Sequence, residues 1–137
     1  MRVIFRHTLE VRFRDCDPMG HANNAVYLTY LEQTRLAHWR ELWGFGGERS
    51  TRVESIPGVI LARVEVDYKA AARFGDVLEV RLGLASVGRT SFTYEYEIVD
   101  AGGRLVAAAR SVQVMYDYAA GRPVEIPQEI RRKFDYL

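Results

Sequence analysis

The stretch that decides the fold is DCDPMGHANNAVYLTYLEQTRLAHWRELWG, residues 15–44. Its later part, residues 24–43, contains no glycine or proline and many good helix formers, which predicts one long helix. Asn23 or Asn24 can cap the start of this helix by accepting an orphan backbone N–H, and Gly44 can end it. Apolar residues cover most of the helix circumference, so the helix must be buried on several sides.

Five further segments alternate apolar and polar residues with a period of two, which is the pattern of a half-buried β-strand. The last four are joined by short connections, so we expect them to pair antiparallel as a meander. In the final strand, the apolar face is predicted to carry Val112 and Val114, with Arg110 as an exception. The five segments are 3–13, 59–68, 77–87, 89–99 and 104–117.

Two segments remain between and after these elements. Residues 44–58 are rich in glycine, serine and charged residues, which predicts a long loop inside one domain. Ile126 and Pro127 open a short second helix that runs through Phe134, with Pro127 near its first turn.

The order of the elements predicts the architecture. One helix and one antiparallel sheet must bury each other, and a helix that is apolar on most sides requires the sheet to curl round it. We therefore expect an α+β fold in which a long central helix is wrapped by a five-stranded curved antiparallel sheet, as a single domain over 1–137. Strands this long leave free edges that are usually covered or paired with another subunit, so dimerisation is expected on physical grounds.

The composition excludes several classes of partner. Nineteen Lys and Arg residues against 18 Asp and Glu give a net charge of +1, and the charges are interspersed, so we expect no nucleic-acid and no membrane partner. No stretch reaches the roughly 20 apolar residues that a membrane span needs, and the alternating N-terminal segment does not fit a signal peptide. The single cysteine, Cys16, cannot form an internal disulfide, which fits a reducing compartment. The expected location is cytoplasmic.

Residues 15–35 also contain a motif that spans the turn and the helix start. The block Asp15-Cys16-Asp17-Pro18-Met19-Gly20-His21-Ala22-Asn23-Asn24 is followed by Tyr27, Glu32 and Arg35. This block resembles the 4-hydroxybenzoyl-CoA thioesterase family of hot-dog enzymes, which includes bacterial acyl-CoA and acyl-carrier-protein thioesterases. The resemblance covers nearly the whole chain and implies the hot-dog fold. Its later parts are Asp67-Tyr68-Lys69, Phe74-Gly75-Asp76, Gly88-Arg89-Thr90-Ser91 and Arg122-Pro123-Val124-Glu125-Ile126-Pro127.

The resemblance implies an acyl-CoA thioesterase that hydrolyses an acyl-CoA or acyl-carrier-protein thioester to a free acid and the thiol. It implies no metal, and no cofactor beyond the coenzyme A of the substrate. It also implies a homodimer, or a homotetramer built as a dimer of dimers, with active sites at the subunit interface. Asp17 is then the general base or the nucleophile, and the backbone N–H at Asn24 is the oxyanion donor.

The residues themselves support this chemistry. Asp17 lies in a turn just before a helix start, where unpaired backbone N–H groups and the positive end of the helix dipole can hold a developing oxyanion. The alternative is that Asp17 only caps the helix or ties the turn, and Asp15 is expected to brace that turn. His21 either polarises the substrate carbonyl or binds Asp17, or it is a turn histidine bonded to backbone. An asparagine at position 24, where one branch of the family has histidine, excludes a titrating role there, although its side chain can orient water.

Further residues are predicted to bind the substrate. Gly20, Asn23 and Tyr27 belong to the same motif. Candidate partners for the phosphates of coenzyme A are Lys69, Arg73 and Arg89, which lie near strand ends. For any one of these three, a solvated surface charge is the alternative.

Three other motif residues are predicted to be structural, and rival functions stay open. Cys16 is interpreted as a small packed residue, and Glu32 with Arg35 as an ion pair three residues apart on the helix. The rivals are a hot-dog dehydratase or hydratase acting on 3-hydroxyacyl thioesters, a non-catalytic acyl-CoA-binding dimer, and a purely structural dimer.

Overall fold

The computed structural model describes residues 1–44 and 58–137. The predicted loop at 44–58 therefore lies, apart from its two end residues, outside the described residues. In chain order the elements are strand β1 (Phe5–Glu10), a 3-10 turn (Phe13–Asp15), helix α1 (Val26–Trp43), strands β2 (Gly58–Tyr68), β3 (Val77–Val87), β4 (Ser91–Asp100), β5 (Leu105–Asp117) and β6 (Arg122–Pro123), and helix α2 (Gln128–Asp135).

Helix α1 begins two residues later than predicted. The N-cap residue is Ala25, so neither asparagine occupies the cap position, and no side chain forms a capping hydrogen bond there. The side chain of Asn23 acts just ahead of the helix, where its Oδ1 accepts the N–H of Ala25 at 2.9 Å. Gly44 ends the helix as predicted: it adopts the left-handed conformation at φ 72°, and its N–H returns to the carbonyl of Arg40.

The sheet is antiparallel, with the strand order β1-β3-β4-β5-β2, and β6 adds two residues beside β5. The meander of β3, β4 and β5 is confirmed, but β2 pairs with β5 and not with β3, so the predicted meander of four strands was wrong. The physical reason lies in the connection 69–76, which crosses the end of the sheet instead of reversing. Along this path Lys69 N–H bonds to Val106 O, and Gly75 N–H bonds to Val11 O.

From Ala107 to Met115, strand β5 directs towards the core the face opposite to the predicted one, whereas Val106 at its start is buried as predicted. The face that carries Arg110 and the valines is the outer one, and Arg110 is exposed. Strand β4 already fills the core with large rings, so the residues paired with them are small: Tyr94 faces Ser111 and Tyr96 faces Ala109. The buried residues on the inner face of β5 are Ala107, Ala109, Ser111, Gln113 and Met115.

The core lies between α1 and the concave side of the sheet. The indole N–H of Trp39 donates to the Tyr94 hydroxyl at 2.9 Å, and the rings of Trp39 and Trp43 stack at 5.5 Å. Helix α2 closes one end of this core with Phe134, whose ring lies 5.0 Å from that of Phe92. The curved sheet around one long helix confirms the predicted α+β hot-dog fold. Neither described helix combines the length and the apolar character needed to cross a membrane.

Strand β2 forms a free edge that the helix does not cover. Helix α1 packs against β1, β3 and β4, and the inward residues Val64 and Val66 of β2 stay half-buried. Leu61 and Tyr68, which also face inwards, are each 45% exposed. A groove with apolar walls therefore runs between α1 and β2.

Candidate active site

The loop before α1 is folded back on itself by its own sequence. Cys16 and Ala22 form an antiparallel bridge, and the N–H of Gly20 donates to the carbonyl of Asp17 at 3.0 Å. Aspartate, proline and glycine stand at the positions of this turn that favour them. Gly20 adopts φ 86°, a backbone conformation that residues with a side chain rarely take, so glycine is favoured there.

The Asp17 carboxylate is half-buried and is held from two sides. Its Oδ1 accepts the N–H of Met19 at 2.9 Å, and its Oδ2 accepts the side-chain amide of Asn23 at 3.1 Å. The same Asn23 side chain accepts the N–H of Ala25, which directly precedes α1. One amide thus connects the carboxylate to the start of the helix.

Asp15 holds the loop through buried hydrogen bonds. It is 4% exposed, and its carboxylate accepts the N–H of Arg12 at 3.0 Å, the Arg12 guanidinium at 3.2 Å and the Tyr30 hydroxyl at 2.9 Å. Burial acts to raise the pKa of Asp15, but these donors together hold that pKa below its ordinary value. The backbone carbonyl of Asp15 also accepts the N–H of Asn23. These contacts agree with the bracing role that the sequence predicts for Asp15.

Asn24 is exposed and lies next to this framework. Its carbonyl accepts the hydroxyl of Tyr68 at 2.8 Å, which joins the end of β2 to the residues that precede α1. Within the described residues, the backbone N–H of Asn24 has no hydrogen-bond partner. A free donor is therefore available in the same loop as the Asp17 carboxylate.

The backbone N–H of Asp17 donates to the carbonyl of His21 at 3.2 Å, but in the described part of the chain the His21 ring makes no hydrogen bond to the Asp17 carboxylate. Its Nδ1 is 3.1 Å from the carbonyl of Ala22. A carbonyl only accepts, so Nδ1 carries the proton in this contact, and Nε2 of the neutral ring is left as an acceptor. The backbone contact is the structural alternative raised from the sequence, and a role in polarising a substrate stays a prediction.

The other predicted binding residues lie at different distances from the loop and differ in exposure. Arg73 donates to the carbonyl of Gly20 at 3.3 Å and so belongs to the loop. Tyr27 is 2% exposed and packs in the core, so its contact with a substrate stays a prediction. Lys69 is exposed directly after β2. Arg89 forms an exposed ion pair with Glu125 at 3.3 Å. It lies beyond the end of β3 that is remote from Arg73, and this strand of 11 residues spans roughly 36 Å.

The predicted ion pair between Glu32 and Arg35 is wrong for the described structure. Glu32 is exposed, whereas Arg35 is 6% exposed and donates from Nη1 to the Tyr96 hydroxyl at 3.3 Å. The reason is that Arg35 lies on the sheet-facing side of α1 and reaches into the core. Cys16 is half-buried against the core, as the sequence suggested.

Sequence reasoning missed two tyrosines that hold the site. Tyr30 binds the Asp15 carboxylate, and Tyr68 binds the carbonyl of Asn24. The sequence pattern assigns neither hydroxyl a hydrogen-bond partner. The available signal for Tyr68 was its position at the end of a strand, next to a charged turn. No group of three or more potential metal ligands occurs within residues 1–44 and 58–137.

Comparison with known proteins gives one consistent result. The model of the thioesterase-like superfamily matches residues 11–134 of the chain. The acyl-CoA thioester hydrolase YbgC of Escherichia coli is 27% identical over 131 residues, which cover 96% of each chain. A putative esterase of Aquifex aeolicus is 29% identical over 127 residues, which cover 92% of this chain and 94% of the relative.

Two solved structures extend the likeness to the whole fold. A predicted thioesterase from Bacillus stearothermophilus superimposes with a TM-score of 0.83 and 30% identity, over 96% of this chain and 94% of the other. A Thermus thermophilus thioesterase complexed with coenzyme A and zinc superimposes with a TM-score of 0.80 and 32% identity, over 96% of this chain and 98% of the other. The predicted class, a thioester hydrolase of the hot-dog fold, is confirmed, and the chain belongs to the thioesterase-like superfamily.

Proposed function

We propose that the protein hydrolyses an acyl-CoA thioester to the free acid and coenzyme A, with Asp17 as the catalytic residue. The observation that supports this most directly is the juxtaposition of a half-buried carboxylate with the free N–H of Asn24, just ahead of a long helix. The E. coli relative is named for acyl-CoA hydrolysis, and a T. thermophilus neighbour was solved with coenzyme A. Both support coenzyme A as the carrier.

The reaction follows from these two groups. The thioester carbonyl oxygen accepts the Asn24 N–H, while Asp17 takes a proton from water and the hydroxide adds to the carbonyl carbon. The tetrahedral oxyanion is held by the N–H and by the helix dipole. It collapses by breaking the carbon–sulfur bond, and the thiolate of coenzyme A leaves and takes up the proton.

Asp17 can also act as the nucleophile. In that route the carboxylate adds to the carbonyl, the thiolate leaves, and water then hydrolyses the acyl-aspartyl anhydride. Both of its oxygens retain accepting capacity, because an ionised carboxylate has about four lone-pair sites and the loop uses two. In either route Asn23 is a positioning residue that fixes the carboxylate.

The site is completed by a second copy of the chain. The outer edge of β2, Gly58–Tyr68, is unpaired within the described residues, and an exposed edge of 11 residues favours pairing with another strand. A homodimer built on this edge, and a homotetramer of two such dimers, are the proposed assemblies. Arg89 lies too far from Arg73 to share a ligand within one chain, so any role of Arg89 in binding coenzyme A requires the partner's copy.

The coenzyme A phosphates are assigned to the side of the site that carries Arg73. This residue lines a groove of about 350 Å³ with Arg104, Asp76 and Asp100. Arg104 is paired with Asp100 at 2.9 Å, so among the described residues Arg73 and the exposed Lys69 are the cations on this side that form no ion pair. Planar guanidinium groups suit phosphate oxygens. Removal of the Arg73 side chain also removes its bond to Gly20, so it tests binding less cleanly than Asp17 tests the chemistry.

The decisive experiment measures thiol release from a panel of acyl-CoA thioesters by wild type and Asp17→Asn. We expect kcat to fall by roughly 10²- to 10⁴-fold in the variant, the range of general acid–base catalysis, with retained substrate binding and thermal stability. Asp135→Asn, at the end of α2, is the matched control and should leave kcat unchanged.

Three results would contradict the proposal, two of them its reaction and one its catalytic residue. Hydration of an enoyl thioester without thiol release would indicate a hot-dog hydratase. Tight binding of acyl-CoA without turnover by wild type would indicate a binding module. Full activity in Asp17→Asn would remove the assigned role of this residue even if hydrolysis is confirmed.

A further inference from the structure

Helix α1 carries a buried positive charge whose counter-ion is absent from the described residues. Arg35 is 6% exposed, yet it takes part in none of the ion pairs found in residues 1–44 and 58–137. Buried charges in proteins are normally paired, because an unpaired charge loses its hydration without compensation. An anion from outside these residues is therefore expected beside the guanidinium.

The neighbours of Arg35 form a hydrogen-bond chain with a fixed direction. Gln113 Nε2 donates to the carbonyl of Phe92 at 3.1 Å, so its Oε1 accepts from the Ser111 hydroxyl. Ser111 Oγ then accepts from the Tyr96 hydroxyl, and Tyr96 accepts Nη1–H of Arg35 at 3.3 Å. Each hydroxyl hydrogen in the chain is already used.

This direction decides what the cluster can offer to a ligand. Burial raises the pKa of Tyr96, although Arg35 opposes that shift, so the phenol stays neutral and supplies no negative charge. The donors left over belong to the guanidinium of Arg35. The cluster can therefore recognise an oxygen acceptor, and a carboxylate best, because a guanidinium binds both oxygens of one carboxylate.

Arg35 also lines an open cleft. This cleft has a volume of about 240 Å³ and lies between α1 and the inner side of β2, with Leu36, Val59 and Leu61 as apolar walls and Gln113 as a further polar member. Glu32 lies on the same cleft but is exposed and makes no ion pair with Arg35. An elongated apolar ligand with one anionic end matches these walls and this charge.

We propose that Arg35 is a specificity-determining residue that binds a carboxylate at the far end of the acyl group, so that the preferred substrate is the CoA thioester of a medium-length dicarboxylic acid. This inference rests on the proposed function, because it places the thioester at the Asn24 N–H.

The spacing along α1 supports the proposal. Arg35 follows the first helical residue, Val26, by nine positions, which corresponds to about 14 Å of helix. Tyr68 fixes one end of β2 beside Asn24, and Leu61 of the same strand lines the cleft near Arg35. An acyl chain that starts at Asn24 and follows the groove between α1 and β2 therefore ends at the guanidinium.

The test compares two substrates of equal length, decanoyl-CoA and the mono-CoA thioester of decanedioic acid. Wild type should favour the carboxyl-terminated substrate in kcat/KM. Arg35→Met should lower that preference by about ten- to a hundredfold, the value of one charge-assisted pair, and Arg35→Lys should restore part of it. Arg110→Met removes an exposed arginine from the outer face of β5 and should leave the preference unchanged.

Direct binding separates this proposal from the proposed function. If neither thioester is hydrolysed, calorimetric titration with decanedioate still tests Arg35, and we expect binding by wild type that is lost in Arg35→Met. The proposal is overturned if wild type shows no preference for the carboxyl end. It is also overturned if Arg35→Met dissociates or unfolds the protein while the substrate ratio stays constant, because the counter-ion is then a carboxylate of the protein itself.

Discussion

The loop before α1 and the middle of the same helix hold their polar groups in contrasting ways. In the loop, Asp15 and Asp17 are satisfied by donors from residues mostly within eight positions of each other. In the middle of the helix, Arg35 and His38 face side chains from β4, more than 50 residues away in sequence. The loop is a locally determined unit, whereas the polar groups of the helix interior depend on the complete sheet.

This contrast also separates the two regions by charge. In the loop, hydrogen bonds from Arg12 and Tyr30 stabilise the charged form of Asp15 and hold its pKa below the ordinary value. The helix interior penalises charge: burial lowers the pKa of His38 to about 4, and its Nε2 is buried without a hydrogen-bond partner among the described residues. Acid should therefore destabilise the two regions in different pH windows.

The largest expected effect on stability concerns His38. Its folded pKa of about 4 lies below the ordinary 6.5, so the unfolded chain binds more protons between these values, and stability falls as the pH drops from about 6.5 to 4. The shift corresponds to about 3 kcal/mol. Denaturant unfolding at a series of pH values should show this loss in wild type, and His38→Phe, which keeps a ring between Phe5 and Tyr94, should remove it.

The half-buried His7 of β1 provides the matched control for this measurement. His7→Gln should retain the full loss of stability between pH 6.5 and 4. A loss that persists unchanged in His38→Phe would show that another group titrates in this window, and would remove the contrast between the helix interior and the loop.

The next effect concerns Asp15 and appears at lower pH. A folded pKa below the ordinary 3.8 means that Asp15 contributes stability above that value, which is lost as the pH falls through the folded pKa. Asp15→Asn should therefore reduce the free energy of unfolding at pH 7 by about 2 kcal/mol, because charged hydrogen bonds from Arg12 and Tyr30 are replaced by neutral ones. The wild type and the variant should approach each other in stability as the pH falls through the folded pKa of Asp15.

Tyr30→Phe tests the same contact from the other side. The double-mutant cycle with Asp15→Asn should give a coupling energy of about 1 kcal/mol, since the two groups meet in one buried hydrogen bond. Additive effects of the two substitutions would contradict the assigned bracing of the loop by α1.

The same contrast explains what the sequence alone could predict. The turn of the loop was predictable because its determinants are contiguous: Asp17, Pro18 and Gly20 stand at turn positions that favour them. The helix start was less predictable, since Asn23 acts just ahead of the cap and Ala25 occupies the cap position itself. The end of α1 at Gly44 follows from a local preference as well. These are features for which neighbouring residues contain the physical cause.

The remaining features depend on contacts that are distant in sequence. The pairing of β2 with β5 follows from the route of the connection 69–76, which hydrogen bonds to β5 and to the residue after β1. The i, i+3 rule placed Arg35 beside Glu32, whereas the curvature of the sheet brings Tyr96 to it from 61 residues away. Likewise, Tyr68 meets Asn24 across 44 residues, so its hydroxyl could not be assigned from period-two alternation.

The smallest effect on stability gives the sharpest separation of local strain from site geometry, because the chain offers a matched pair of glycines. Gly20 and Gly103 adopt nearly equal left-handed conformations, at φ 86° and 84°, and an added Cβ at either position would meet no atom closer than 4.0 Å. Gly20→Ala and Gly103→Ala should therefore each destabilise the protein by about 1 kcal/mol, measured by thermal unfolding.

Gly20 lies in the turn that fixes the Asp17 carboxylate, whereas Gly103 lies in the turn between β4 and β5. Thiol release should consequently fall several-fold in Gly20→Ala alone, and an equal fall in both variants would show that activity follows global stability and not the geometry of the loop.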